Sequence, residues 1–252
     1  MKVFLLLLFL ITDLRATTPP WGANRHSLLV EHARKLAKDL KKYPSFSFPT
    51  PVEEVFQLFP NQRIPIFAYG SLLYPKSALK TISQTTIDTH RLVIAYGFQR
   101  AFNYKASLSK KLSRQTDVAM LNLFTTNPFD TVNGVLMWVT HDEFKKLVQR
   151  EEGYHLRPVI VSDWEQGLKP EISQPNFWLA YVFMVPSDSS YSHHKINPYP
   201  PYANEALLGA ERYGGIFFTF WLKTTFLADL TTPFSAWIEN PQIDCNQETL
   251  CN

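Results

Sequence analysis

Cysteine is nearly absent from this chain. Of 252 residues only Cys245 and Cys251 carry a thiol, and both lie in a polar C-terminal stretch. Neither sits in a His or acidic cluster, so nothing marks a cysteine-based metal centre or an activated thiol nucleophile. In an oxidising compartment the pair could close a small loop; in a reducing one they would be two surface thiols. Glycine is also scarce, 9 residues against 18 prolines, which favours stiff connections over flexible linkers. Charge of one sign is missing too. A formal net charge of +3, with no Arg/Lys stripe carrying interleaved aromatics, gives no basis for nucleic-acid binding. No internal repeat and no low-complexity tract is present. What remains is a chain 45% hydrophobic, ample for the core of one large or two small domains.

No apolar run is long enough to span a bilayer. Lys2 followed by Val3 to Ile11 is cut by Thr12-Asp13, well short of the roughly 20 residues of a membrane helix. A charged start with a short apolar core is the pattern of a secretory signal, with cleavage after Ala16. The expectation is therefore a signal peptide over 1–16 and a secreted or periplasmic protein; a cytoplasmic chain with its first residues retained is the alternative. Export favours the disulfide between Cys245 and Cys251.

After the signal, 17–60 reads as a helical extension. Leu29, Ala33, Leu36, Ala37 and Leu40 recur at helical spacing within Asn24 to Lys42, and Arg34, Lys35, Lys38, Lys41 and Lys42 fall mostly on the other side. An apolar face without large aromatics suits packing on the main domain better than a membrane surface. Thr50-Pro51-Val52-Glu53 has the pattern of a capping box, opening a short helix through Phe59.

The main domain is assigned to 61–232 and a polar tail to 233–252. Strand signals fall on Ile64 to Ala68, Leu92 to Tyr96, Phe98 to Tyr104, Val118 to Phe124, Val132 to Val139 and Phe177 to Val185. The strands ending at Phe124 and starting at Val132, joined by Asn127-Pro128-Phe129-Asp130, are expected to form a hairpin. Ala106 to Thr116 reads as an exposed loop, Ala203 to Tyr213 as a helix stopped by Gly214-Gly215, and Ile216 to Leu230 fits strand or helix equally. Mixed strands and helices without a βαβ repeat make an α+β domain, a compact mixed β-barrel or strongly curved sheet with flanking helices.

Two stretches carry chemistry. In Phe67-Ala68-Tyr69-Gly70-Ser71-Leu72-Leu73 an apolar strand runs straight into a Tyr-Gly-Ser turn, where glycine lets a ligand approach backbone N–H groups closely. An isolated turn of this kind ordinarily just ends a strand. The second stretch is a helix opened by the capping box Thr140-His141-Asp142-Glu143. Its apolar stripe of Phe144, Leu147 and Val148 continues onto Glu151, which therefore faces the core, while Glu152 lies about 100° away toward solvent. Gly153 ends the helix. A core-facing carboxylate loses hydration, which raises its pKa toward the range useful for proton transfer; a structural Glu paired with Arg, or a frayed last turn, is the other reading.

The order of these motifs resembles the γ-glutamylcyclotransferase-like family. Phe67-Ala68-Tyr69-Gly70-Ser71-Leu72, then Gly97-Phe98-Gln99-Arg100-Ala101-Phe102, then Gly134-Val135-Leu136-Met137-Trp138, then Leu147-Val148-Gln149-Arg150-Glu151-Glu152-Gly153-Tyr154 follow its succession, and Pro200-Pro201-Tyr202 precedes Gly209-Ala210 as in its late helix. The likeness covers roughly 64–225. The export signal and extension depart from the family, as do Arg157, one place later than usual, and Pro158, which is expected to interrupt the strand that follows. The resemblance implies a cofactor-free and metal-free lyase or acyltransferase reaction on a small-molecule or peptide γ-glutamyl compound. In it the substrate's own α-amine attacks its γ-carbonyl, releasing 5-oxoproline and an amine. It further implies Glu151 as general acid/base and Tyr69, Gly70, Ser71, Leu72 and Tyr202 as substrate contacts. Leaving group and oligomeric state are not fixed by it.

Two readings from other classes compete. Ser71 could be a hydrolase nucleophile with His155 and an Asp, although its surroundings lack the G-x-S-x-G elbow. A non-catalytic binding module of the same fold would keep the pocket, yet would have no need of a core-facing carboxylate. His193-His194, without acidic or Cys partners, reads as plain surface rather than a metal site.

Overall fold

The computed structural model describes residues 20–59, 63–106, 118–169, 171–172, 175–186 and 196–239. The expectations for the signal over 1–16, for His193-His194, for Cys245 and Cys251, and for nearly all of the 106–116 loop lie outside the described residues.

Strand β1 (Ile64–Ala68) is buried along its whole length, as an uninterrupted apolar run requires when both neighbours are strands. It pairs antiparallel with β5 (Thr131–Val139) and parallel with β7 (Phe177–Met184). The order β1-β5-β2-β6-β7 closes a barrel, with β2 over Arg91–Tyr96 and β6 over His155–Asp163. A second sheet, β4-β3-β8, comprises Val118–Thr125, Phe98–Ala106 and Thr225–Phe226. The molecule is thus α+β with a mixed barrel, as expected.

The expected hairpin of β4 and β5 does not form. β4 pairs with β3 and β5 pairs with β2, so the two belong to different sheets. β2-β3 and β4-β5 instead make one long antiparallel ribbon that bends across both sheets at its middle. Gly97 at φ +83° makes the bend, donating its N–H to the Asp130 carbonyl at 2.7 Å and accepting from Thr126 N–H at 2.9 Å. The Asn-Pro turn that looked like a hairpin tip is the opposite side of that bend.

Pro158 lies inside β6 rather than ending it. At that position β6 pairs with Tyr181 of β7, while its pairing with β2 starts only at Val161. The missing proline N–H therefore costs no ladder bond.

Among the described residues the helices are α1 (Ala23–Ala37), α2 (Val52–Gln57), α3 (Pro75–Ala78), α4 (Gln84–Asp88), α5 (His141–Arg150), α6 (Trp164–Leu168), α7 (Pro200–Glu211), α8 (Gly215–Lys223) and α9 (Phe234–Glu239). α1 docks on the barrel, burying Leu29, Val30 and Ala33, and Arg25 donates to the carbonyls of Gly167 (2.7 Å) and Gln166 (2.9 Å) at the end of α6. The capping box at Thr50 is absent: α2 starts after Pro51, no side chain caps it, and Thr50 Oγ1 is buried without a partner among the described residues. The ambiguous 216–230 stretch resolves into α8, which buries Phe217, Phe220 and Trp221, followed by β8. The stretch from 233 on is not all polar tail, since α9 buries Phe234 against Phe102 (rings 4.6 Å apart) and Trp221 (6.0 Å).

Candidate active site

The strand-ending turn and the helix-ending carboxylate meet. β1 delivers Tyr69 and Gly70, a 3-10 turn covers Ser71–Leu73, and α5 ends at Glu151. Tyr69, Gly70, Ser71, Leu72, Glu151 and Tyr202, the positions that the family resemblance singled out, line one inner pocket, together with Leu121, Tyr154 and Phe183. This pocket encloses about 30 Å³ and shares Ser71, Glu151, Tyr154 and Tyr202 with an outer cleft of about 680 Å³.

α5 forms as the sequence predicts. Thr140 accepts from Glu143 N–H, and the Glu143 carboxylate accepts from Thr140 N–H, the full capping box. The backbone leaves the helix at Glu151 (φ −89°, ψ 43°), and Gly153 turns at φ +82°, where a side chain would in any case strike the Tyr104 hydroxyl.

Two carboxylates on this helix turn inward, and their surroundings separate them. Burial works against charge on Glu143, but hydrogen bonds from Ser83, Thr140 and Thr86 outweigh it and leave its pKa below the usual carboxylate range. Glu151, with 18% of its side chain exposed, accepts no hydrogen bond from any described residue. Burial pushes its pKa up, and the nearby Arg150, whose Nε stands 3.6 Å from Oε1, only partly opposes this. Glu152, by contrast, is exposed.

The loop facing Glu151 is held from behind by Arg100, a residue the sequence reading did not single out. Its guanidinium is fully buried and donates to the Asn133 carbonyl (2.8 Å), the Trp221 carbonyl (2.9 Å), Thr224 Oγ1 (3.0 Å) and Thr225 Oγ1 (2.8 Å), with the Tyr69 carbonyl at 3.5 Å. Its ring partner is Trp221, 4.6 Å from the guanidinium carbon. No carboxylate among the described residues pairs with it. Burial pushes its pKa down, yet a guanidinium so supplied with acceptors keeps its charge. The Tyr69 carbonyl also accepts from Trp221 Nε1 at 3.2 Å. Because a trans peptide sets C=O and N–H on opposite sides, fixing this carbonyl also fixes the direction of the Gly70 N–H.

Arg150 was likewise missed, although it stands next to Glu151 in the motif. It donates to Ser71 Oγ (3.0 Å), Ser77 Oγ (2.9 Å) and the Ser77 carbonyl (2.7 Å), tying the end of α5 to the loop and to α3. A solvent-facing role is the ordinary expectation for an Arg in the last turn of a helix, so no pattern marks this one out.

Tyr202 enters from the first turn of α7. Gly209 lets that helix lie against the loop's exit: a Cβ there would stand 2.6 Å from Tyr74 N and 2.7 Å from Leu73 Cβ. The Tyr202 hydroxyl lies 2.8 Å from where a Cβ on Gly70 would be, so a side chain there would push the phenol aside. Burial raises the Tyr202 pKa, as does the charge of Glu151, while Arg150 and hydrogen bonding to the side chain and backbone of Ser71 act against this. Tyr69 and Tyr154 close the inner end, donating to the carbonyls of Phe183 (2.8 Å) and Leu121 (2.7 Å). His155 does not line this pocket, and Ser71 Oγ accepts from Arg150. No group of three or more His, Cys, Asp or Glu among the described residues is placed to hold a metal ion, and no described helix is long and apolar enough to cross a membrane.

Fold and pocket define a class: an α+β protein whose mixed barrel carries, at the end of one strand, a Gly-Ser turn set against a partly buried carboxylate of raised pKa. No family model and no curated protein matches the chain. Among solved structures, a gamma glutamyl cyclotransferase specific to glutathione from yeast is 17% identical, with a TM-score of 0.44, over 65% of this chain and 96% of that one. YkqA from Bacillus subtilis is 20% identical, with a TM-score of 0.49, over 72% of this chain and 60% of its own. A further structure described as a gamma-glutamyl cyclotransferase is 16% identical, with a TM-score of 0.42, over 60% of this chain and 79% of that one. These neighbours include structures of the kind that the motif order resembles. At TM-scores below 0.5 they carry no argument about chemistry, which rests on the pocket.

Proposed function

We propose that the protein is a γ-glutamylcyclotransferase that uses Glu151 as its general acid/base. The observation that supports this best is the contrast on α5: Glu143 is buried and fully hydrogen-bonded, whereas Glu151 is partly buried beside the Gly70-Ser71 turn, accepts no hydrogen bond from a described residue and has only the Arg150 guanidinium 3.6 Å away. A carboxylate whose pKa is raised by burial in a pocket holds a proton more readily than a free one, which suits general acid/base work.

The chemistry needs little else from the protein. The nucleophile, the α-amine, is tethered to its own target carbonyl, so holding the folded conformer supplies most of the reactivity. Glu151 takes a proton from the α-ammonium, the amine attacks the γ-carbonyl, and the amide C–N bond breaks. Glu151 returns this proton to the departing nitrogen and then relays the second proton of the ring nitrogen to the released amine, giving 5-oxoproline and an ammonium. Backbone N–H groups of Gly70, Ser71 and Leu72 hold the substrate carboxylate or the developing oxyanion. In this structure the Tyr202 hydroxyl lies against that turn, 2.8 Å from where a Cβ on Gly70 would be. The γ-glutamyl head occupies the inner pocket beside Glu151 and keeps its leaving group in the outer cleft.

The test is release of 5-oxoproline from a panel of γ-glutamyl amino acids, peptides and amides incubated with purified protein. No release from any of them sinks the reading. Labelling of Ser71 by a fluorophosphonate would favour the hydrolase instead; an Arg150 donor on its hydroxyl and no histidine in the pocket speak against that outcome. Substrate binding without turnover would favour the binding module. The proposal extends to export of the protein, on the strength of Lys2 and the apolar run that follows it.

A further inference from the structure

The extension before the barrel supplies part of the outer cleft. Phe46 is fastened to β6 by reciprocal backbone bonds with Leu156, each 2.9 Å, immediately after Tyr154 of the inner pocket. The Tyr181 hydroxyl donates to the Pro44 carbonyl at 3.1 Å, and the Phe46 ring lies 6.2 Å from that of Tyr181. Between buried Phe46 and buried Thr50 the chain leaves Phe48 40% exposed, and its ring lines the outer cleft. A lone exposed aromatic is unremarkable on a protein surface. This one lines its cleft together with Tyr104 and Met120, which are register partners on β3 and β4, and with the charged Lys80, Lys105, Arg150, Glu151, Glu152 and Glu205. The cleft is large enough for an amino-acid or short-peptide leaving group, and it is continuous with the pocket through Ser71, Glu151, Tyr154 and Tyr202. Tyr104 is held in place: its hydroxyl donates to the Glu152 carbonyl at 2.8 Å, and its ring packs at a tilt 4.4 Å from Tyr154.

We propose that Phe48, Tyr104 and Met120 form an apolar subsite for the leaving group, and that the preferred substrates are γ-glutamyl compounds whose departing amine carries an aromatic side chain. This rests on the cyclotransferase reading for the placement of the γ-glutamyl head. An aromatic side chain gains stacking and sulfur contacts there that a methyl group cannot make. The extension is then a specificity element that determines which amine is released.

The experiment measures binding of γ-glutamyl-phenylalanine and γ-glutamyl-alanine by calorimetry, alongside 5-oxoproline release, for wild type, Phe48→Ala and Phe48→Tyr. Wild type is expected to bind the phenylalanine compound roughly tenfold or more tightly than the alanine one. Phe48→Ala lowers that ratio by roughly threefold to tenfold, and Phe48→Tyr, which keeps the ring, preserves it. Equal affinities in wild type, a ratio untouched by Phe48→Ala, or no binding of either compound overturns the subsite. A shifted ratio without 5-oxoproline release supports the subsite and fails the cyclotransferase reading. Release from both compounds with equal affinities does the reverse.

Discussion

Glu151 and Glu152 are adjacent, alike in chemistry and opposite in surroundings, which makes them the sharpest residue-scale comparison. Glu151→Gln keeps shape and removes the proton acceptor, so turnover should fall by about 10²–10⁴ in a 5-oxoproline assay, whereas Glu152→Gln should change it only a few-fold. Comparable losses in the two would mean the wrong carboxylate. The same burial sets a pH signature in stability. Because the folded pKa of Glu151 is raised, the folded state binds its proton more tightly than the unfolded state. Its contribution is therefore most favourable below the ordinary Glu pKa and is lost as pH rises through the raised folded value. Glu151→Gln should accordingly melt above wild type at neutral pH, the gap closing as pH falls below the ordinary Glu range. A gap that widens on acidification would mean a depressed pKa. Glu151 was legible in the sequence because helical periodicity carries it onto the stripe of Phe144 and Leu147. Arg100 and Arg150 were not, because a buried arginine satisfied by carbonyls leaves no periodic or spacing signal; only the folded chain shows which oxygens surround it.

Strand existence was readable element by element, but pairing was not. Val118 to Phe124 and Val132 to Val139 have the alternation and the turn of a hairpin, and nothing local records that Gly97 bends the partner ribbon between two sheets. Pro158 misled for a related reason: whether a proline interrupts a strand depends on which flank lacks a neighbour, a tertiary fact. The fit of α7 against the Ser71–Leu73 turn is another, and it is testable. A Cβ on Gly209 would press on Tyr74 N and Leu73 Cβ, backbone and core rather than a flexible tip. Gly209→Ala should therefore cost about 1–3 kcal/mol in chemical denaturation, as overpacking does elsewhere. It should also displace Tyr202 and Ser71 relative to each other, so turnover should drop more than a remote variant of equal stability would cause. Unchanged stability together with unchanged turnover would show that α7 has slack at this contact.

On the scale of the whole molecule, chain ends that composition marks as peripheral are built into the core. The extension contributes Leu29, Val30, Ala33, Phe46 and Val55 to the buried set, and the stretch read as a polar tail contributes Phe234, fully buried against Phe102 and Trp221. Those two partners matter to the site. Trp221 donates to the Tyr69 carbonyl and stacks on Arg100, so Phe234 supports the same wall that orients the Gly70 N–H. Six residues of α9 gave a weak helical signal, and one buried aromatic per turn is not distinguishable by pattern from a surface one. Phe234→Ala should destabilise the protein by about 3–5 kcal/mol, the usual range for deleting a buried phenylalanine ring. Because α9, β3 and α8 share this cluster, the loss should appear in one unfolding transition, with the extension and barrel melting together. Near-wild-type stability in the variant, or a separate early transition for the C-terminal segment, would show that α9 is an appendage and that the wall behind Tyr69 stands without it.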